Sequence, residues 1–319
     1  MKKIRVYWGA VCCCMAMLVG CQQAEEIKSK GEELQMKVEA SIGRTVSVAG
    51  RYAGDAPNDV EFTGGDEIGL SVNGGSFVKW TTADGSNWTQ DGDAIHWNNK
   101  TDSHEFCAFY PYVASATLSG VPMPDLTTQK GKMSDLGKYD FLTASMDAAY
   151  EDNGVVELEF AHELALITIK LKDEGDLMSS TIDKITIEGD DILTPSNYSF
   201  SELDVSLASD EAEGVRSLVV VLDEVFPSGG KTCYFVVNPQ TVALSEVSLT
   251  IEYQDRNGKK HVAALEGLGD SNAKFESGKE YSYSLKVQSG SLVVSGNKIN
   301  NWGVGVNMDD IVINGTPIE

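Results

Sequence analysis

Four histidines, His96, His104, His162 and His261, are the side chains best suited to proton transfer or metal binding at neutral pH. No two stand in an HxH or HxxxH arrangement, and the chain has no GxSxG or P-loop pattern. His96 and His104 lie eight residues apart around Trp97, a separation that gives no ligand geometry on strands or a loop. His162, in "FAHELAL", follows an apolar run and reads as a core or turn histidine. Acidic turns at Asp91–Asp93 and Glu188–Asp191 offer oxygen ligands for calcium. They lack the spacing and closing glutamate of an EF-hand loop, so solvated turns are the favoured reading. These residues predict neither an enzyme nor a bound cofactor.

A different chemistry is written at the start. Lys2, Lys3 and Arg5 precede the apolar stretch "VYWGAVCCCMAMLVG", the pattern of a secretory signal over residues 1–20. It ends in Leu18-Val19-Gly20-Cys21, which resembles a bacterial lipobox. Leu18, Val19 and Gly20 are then the signal-peptidase recognition residues, and Cys21 is acylated and becomes the mature N-terminus. The run is shorter than the ~20 residues of a membrane-spanning helix, which argues against an uncleaved anchor. Two or three acyl chains at ~0.8 kcal/mol per buried CH2 are enough for stable membrane attachment. With Cys12, Cys13 and Cys14 removed and Cys21 lipidated, only Cys107 and Cys233 remain. Both sit in apolar runs without metal-ligand spacing, so two buried free thiols are expected, with a disulfide between them as the alternative.

Arginine chemistry comes next. Residues Leu34 to Val48, "LQMKVEASIGRTVSV", alternate apolar and polar with one exception, Arg44 in the apolar phase. An unpaired guanidinium is costly to bury. Either Gly43 lets a bulge turn Arg44 to solvent, or Gly43-Arg44 is an exposed joint. Arg51, in "AGRYAGD", has an equally loop-like setting. Trp80, Trp88 and Trp97 fall within one short region and offer rings for sugar stacking. The opposing reading packs them in a core, and alternation with Val78 and Ile95 favours it.

These residues must be carried by strands, because period two dominates and helical period is hard to find. "GDEIGLSV", "VVELEF", "LALITIKL", "IDKITIEG", "SLVVVL", "CYFVV", "VSLTIEY" and "YSYSLKV" are β-branched and aromatic-rich runs. Gly, Asn and Asp turns such as "RNGKK" bound them. The predicted class is all-β, as β-sandwiches. A mature chain of 299 residues from Cys21 implies about two domains. The polar stretch 21–33 reads as a flexible tether, 34–153 as one sandwich and 154–319 as another, divided at "DAAYEDNG" (Asp147 to Gly154). "QAEE" (Gln23 to Glu26) resembles the acidic signal that sends some lipoproteins to the outer face of the outer membrane, although a solvated linker explains it as well. The whole chain carries a net charge of −23; without the three basic signal residues, 22 Lys+Arg face 48 Asp+Glu, a charge of −26. Such a surface repels nucleic acid and anionic lipid head groups.

Several segments, taken in order, resemble the fimbrillin-like family, the lipidated pilins of the Mfa-like group. They are "FTGGDEIGL" (Phe62 to Leu70), "FCAFYPY" (Phe106 to Tyr112), "LEFAHELALITIKL" (Leu158 to Leu171), "FESGKEYSYSLKV" (Phe275 to Val287) and "INNW" (Ile299 to Trp302). The resemblance implies two tandem sandwiches of transthyretin-like topology and a lipoprotein precursor that assembles into pili on the outer membrane. It implies partners that are other pilus subunits, with a host or bacterial surface ligand for a tip adhesin. It further implies that a protease cuts after an arginine, Arg44 or Arg51, removing a first strand whose groove is refilled by another subunit's terminal segment. In the tail 303–319, Val304, Val306 and Met308 alternate, and Ile311 and Ile313 resume on the other parity. That tail is expected to be the donor strand, or else an ordinary last strand of its own sandwich. The competing function is a monomeric surface lipoprotein that binds glycans through Trp80, Trp88 and Trp97.

Overall fold

Alternating apolar runs closed by Gly, Asn and Asp build strands almost throughout this chain. The computed structural model describes residues 34–42, 61–151, 153–175, 180–189, 192, 195–207, 217–239, 243–288 and 291–302. The first half contributes β1 (Lys37–Ile42), β2 (Glu67–Val72), β3 (Val78–Thr82), β4 (Trp88–Gln90), β5 (His104–Tyr110), β6 (Val121–Pro122), β7 (Leu142–Ala148) and β8 (Val155–His162). The second half contributes β9 (Ala165–Gly175), β10 (Thr181–Glu188), β11 (Pro195–Ser199), β12 (Asp204–Leu207), β13 (Ser217–Val225) and β14 (Lys231–Val237). It closes with β15 (Ser248–Gln254), β16 (Lys260–Leu265), β17 (Lys279–Gln288) and β18 (Ser291–Asn301). The fold is all-β and sandwich-built. Among the described residues no helix is long and apolar enough to cross a membrane.

The first sheet has the order β1-β8-β7-β5-β2-β3-β4. Its centre is "FCAFY", β5, where Phe106, Ala108 and Phe109 are fully buried between β2 and β7. β8 alternates as its sequence predicts, with Val156, Leu158 and Phe160 inside and Glu157 and Glu159 outside. It lies beyond Gly154, yet it pairs with β1 and β7, so this sheet extends past the expected division to His162. The two end strands are drawn together, because Met36 N–H donates to Ile95 O at 2.9 Å and Trp97 N–H to Leu34 O at 2.9 Å. The sheet thus curls back on itself.

The second sheet has the order β13-β10-β15-β16-β18-β17-β9-β14. β9 lies inside the sheet between β17 and β14, and its apolar run from Ala165 to Ile169 is buried on both faces. The expected turn at "RNGKK" joins β15 to β16, with Asp255 N–H donating to Lys259 O and Gly258 at φ +76°. The end strands β13 and β14 are bridged by a segment from the first half. Gln129 exchanges two hydrogen bonds with the Val236 backbone, at 2.7 and 2.8 Å. Gly131, at φ +67°, lies so close that a Cβ there would be 3.3 Å from Val220 on β13 and 3.6 Å from Cys233 on β14. A third sheet, β12-β11-β6, joins the halves directly through Val121 opposite Tyr198. Met123 N–H donates to Ser196 O and Phe200 N–H to Leu118 O beside it.

Candidate functional site

β1 is an end strand of the first sheet. Met36, Val38 and Ile42 point inward and are buried, whereas Lys37, Glu39 and Ser41 are exposed. Leu34 and Ala40, which share the inward phase of the alternation, are only half-buried. On one side β1 runs parallel to β8, with Val38 beside Val156, Ala40 beside Leu158 and Ile42 beside Phe160. Lys37 N–H donates to Gly154 O at 3.0 Å, which fixes the start of that register. On the other side only its entrance is bracketed, by Ile95, His96 and Trp97. Three large side chains at roughly 1.5–3 kcal/mol each hold the strand in its groove.

Outside β1 lies a cavity of about 530 Å³, lined by Glu39, Ser41, Glu157, Glu159 and the turn Gly85–Asn87. That turn is rigid. Asp84 accepts from the N–H groups of Ser86 and Asn87 at 2.9 and 2.8 Å and from the Asn87 side chain at 2.7 Å. The bonds from Asn87, then Ser86, hold the Asp84 carboxyl down at about 2. Gly85 has φ +88°, and a Cβ there would meet Phe62 O at 2.0 Å.

The tryptophans pack in the core, as the favoured reading of their alternation expects, and the sugar-stacking alternative is overturned. Trp80, Trp88 and Trp97 are 2%, 8% and 4% exposed, so no ring face is offered to a sugar. Trp88 packs edge-on to Phe62, which also meets Tyr110 and Phe160. Trp97 meets His104, Phe106 and Tyr150 edge-on and donates to Gly154 O at 3.3 Å, bracing the entrance of β1. Alternation places these rings inward, where their area is worth most.

The histidines are scattered. His96 bridges Gln35, His104 is buried with Nδ1 3.1 Å from Asp102 O, and His261 lies 3.0 Å from Asp255. His162 is the one with a buried acidic partner: its Nδ1 lies 2.7 Å from Asp140, and its ring stacks on Trp302 at 4.2 Å. Among the described residues no group of three or more His, Cys, Asp or Glu is gathered for a metal. Cys107 and Cys233 are buried free thiols; burial pushes the first up and the second to about 12. Cys21 with Leu18, Val19 and Gly20, the arginines Arg44 and Arg51, and tail residues Val304, Val306, Met308, Ile311 and Ile313 lie outside the described residues. The bracket at Ile95–Trp97 and the β1–β8 register were missed in the sequence, since nothing local signals a partner that far along the chain.

Fold and groove define a class: an all-β sandwich protein whose shaped surface is a strand-holding groove at a sheet edge. The chain belongs to the fimbrillin-like family, whose sequence model matches residues 55–302, well over half of it. Solved structures share the fold. A candidate cell-adhesion protein of Bacteroides uniformis superposes with TM-score 0.60 at 18% identity, covering 84% of this chain and 99% of that one. One of Bacteroides ovatus gives 0.61 at 14%, covering 85% and 99%. A fimbrial protein of Bacteroides vulgatus gives 0.50 at 16%, covering 83% and 99%. No curated protein matches.

Proposed function

We propose that this protein is a structural pilus subunit or pilus-tip adhesin, exported as a lipoprotein and assembled by protease-triggered strand exchange. The observation that carries the reading is β1: peripheral in its sheet, parallel to β8, and seated by Met36, Val38 and Ile42. In this reading a protease cuts after Arg44 or Arg51 and frees the segment that contains β1. The vacated groove exposes apolar surface and unpaired backbone, which an extended donor strand from another subunit covers by strand addition. The tail beginning at Gly303 serves as this chain's own donor. Lipid on Cys21 holds the precursor on the outer membrane, and the mature subunit stands in a fimbrium at the cell surface. The role is structural and not enzymatic. Partners are other pilus subunits and, for a tip, a host or bacterial surface ligand; nucleic acid is disfavoured by the charge of −23.

N-terminal sequencing of the surface protein tests this directly. It should begin at Thr45, or at Tyr52 if Arg51 is the site. Arg44→Ala with Arg51→Ala should trap the lipidated monomer; normal assembly by that variant would overturn the mechanism.

A further inference from the structure

β1 fills the position beside β8 at the end of the first sheet. The outer face of that position is poorly matched to its occupant. In the parallel β1–β8 register Glu39 stands directly opposite Glu157, and Ser41 opposite Glu159. Like charges directly across a ladder are destabilising. The neighbouring strands add to this, since Glu105 stands opposite Asp147 in the β5–β7 pair. Thr143 opposite Ala161 puts Asp147, Glu157 and Glu159 on one face by alternation. Five carboxylates therefore share the solvent side of four adjacent strands, and among the described residues none has a basic partner within salt-bridge reach. Lys37 is the single ammonium that β1 brings to this side. The cavity of about 530 Å³ above Glu157 and Glu159 leaves room for long side chains.

From this we infer that the groove selects its donor by charge: it is built for a partner subunit's strand with Lys or Arg at the outward position facing Glu157, and apolar residues at the alternate positions. The inference rests on the strand-exchange reading above. It has a consequence for this chain's own tail. Whichever parity the tail presents inward, Asp309 or Asp310 falls at an outward position. A second copy is therefore a poor donor, and the groove's partner is a different subunit.

The test starts from the full chain, cut under native conditions with an arginine-specific protease. Two synthetic peptides of residues 34–44 compete for the groove, one native and one carrying Glu39→Lys. The lysine peptide should replace the resident segment at about fivefold lower concentration in low salt, and the difference should vanish near 1 M salt, where charges are screened within about 3 Å. In a chain with Glu157→Gln and Glu159→Gln, replacement should persist and the preference disappear. In the uncut chain Glu39→Lys should raise Tm by about 2 °C; a lowered Tm would overturn the register argument. Equal replacement by both peptides in low salt would overturn charge selection and leave strand exchange standing. Failure of both peptides to replace the segment would overturn strand exchange and this inference together.

Discussion

Glu280 is 2% exposed on β17, where Thr168 and Ser282 donate to its Oε1 at 2.8 and 3.1 Å and its Oε2 has no partner. Burial raises its carboxyl above the ordinary 4.5, against the bonds from Thr168 and Ser282. Half-buried Glu163 is raised for the same reason. A raised acid keeps its proton in the folded state when the unfolded chain has already lost it. Its contribution is fully present below 4.5 and declines as pH climbs through the raised value. Glu280→Gln retains the accepting oxygen and never ionises. Its Tm should therefore gain on the parent between pH 4 and pH 8 and lead by about 2 °C or more at pH 8. A difference that stays constant across that range would show that Glu280 does not titrate with folding. The sequence gives no hint of this residue, because "GKEYSYSLKV" places a glutamate at what looks like a solvent position. Only the strands on either side close over it.

At the scale of elements, the alternating patterns are reliable guides to which face each strand buries. "VVELEF" buries Val156, Leu158 and Phe160, and "YSYSLKV" buries Tyr281, Tyr283, Leu285 and Val287. In the second case Ser282 and Ser284 are buried as well, a tertiary override of the pattern. The stretch between β6 and β7 shows no strong period, yet it bridges the second sheet. Leu126, 1% exposed in a short 3-10 turn, anchors it beside the Gln129 bonds to Val236. Leu126→Ala should cost about 2–5 kcal/mol and lower Tm by roughly 5–15 °C. Because β6 pairs with β11 and this segment spans β13 and β14, calorimetry should show one transition that moves as a unit. Two separated transitions would mean that the halves unfold independently despite the clasp.

For the whole molecule, the net charge of −23 and the lipobox sequence bear on attachment. An acidic body gains nothing from anionic head groups, so in the proposed lipoprotein reading binding rests on the acyl chains. Cys21→Ala should leave unprocessed precursor and move the protein from the membrane to the soluble fraction, as read by fractionation and mass. Retention in the membrane fraction would remove the lipoprotein reading. The same acidity is concentrated on the outer side of β1, β8, β7 and β5, and in the proposed strand exchange it turns a general repulsion into a choice between donors.

The order of apolar and polar residues was by itself enough to determine an all-β chain and the inward faces of β1 and β8, and the ordered motifs carried the resemblance to the family. Strand class and inward face depend on local period, which is written in neighbouring residues. Tertiary structure alone decided the rest. It set Glu39 against Glu157, closed β1 with Ile95–Trp97, and carried β8 into the first sheet beyond Gly154. It also paired His162 with Asp140 under Trp302. These contacts join residues far apart along the chain, and a strand's alternation fixes which side it buries without naming the strand that will lie beside it.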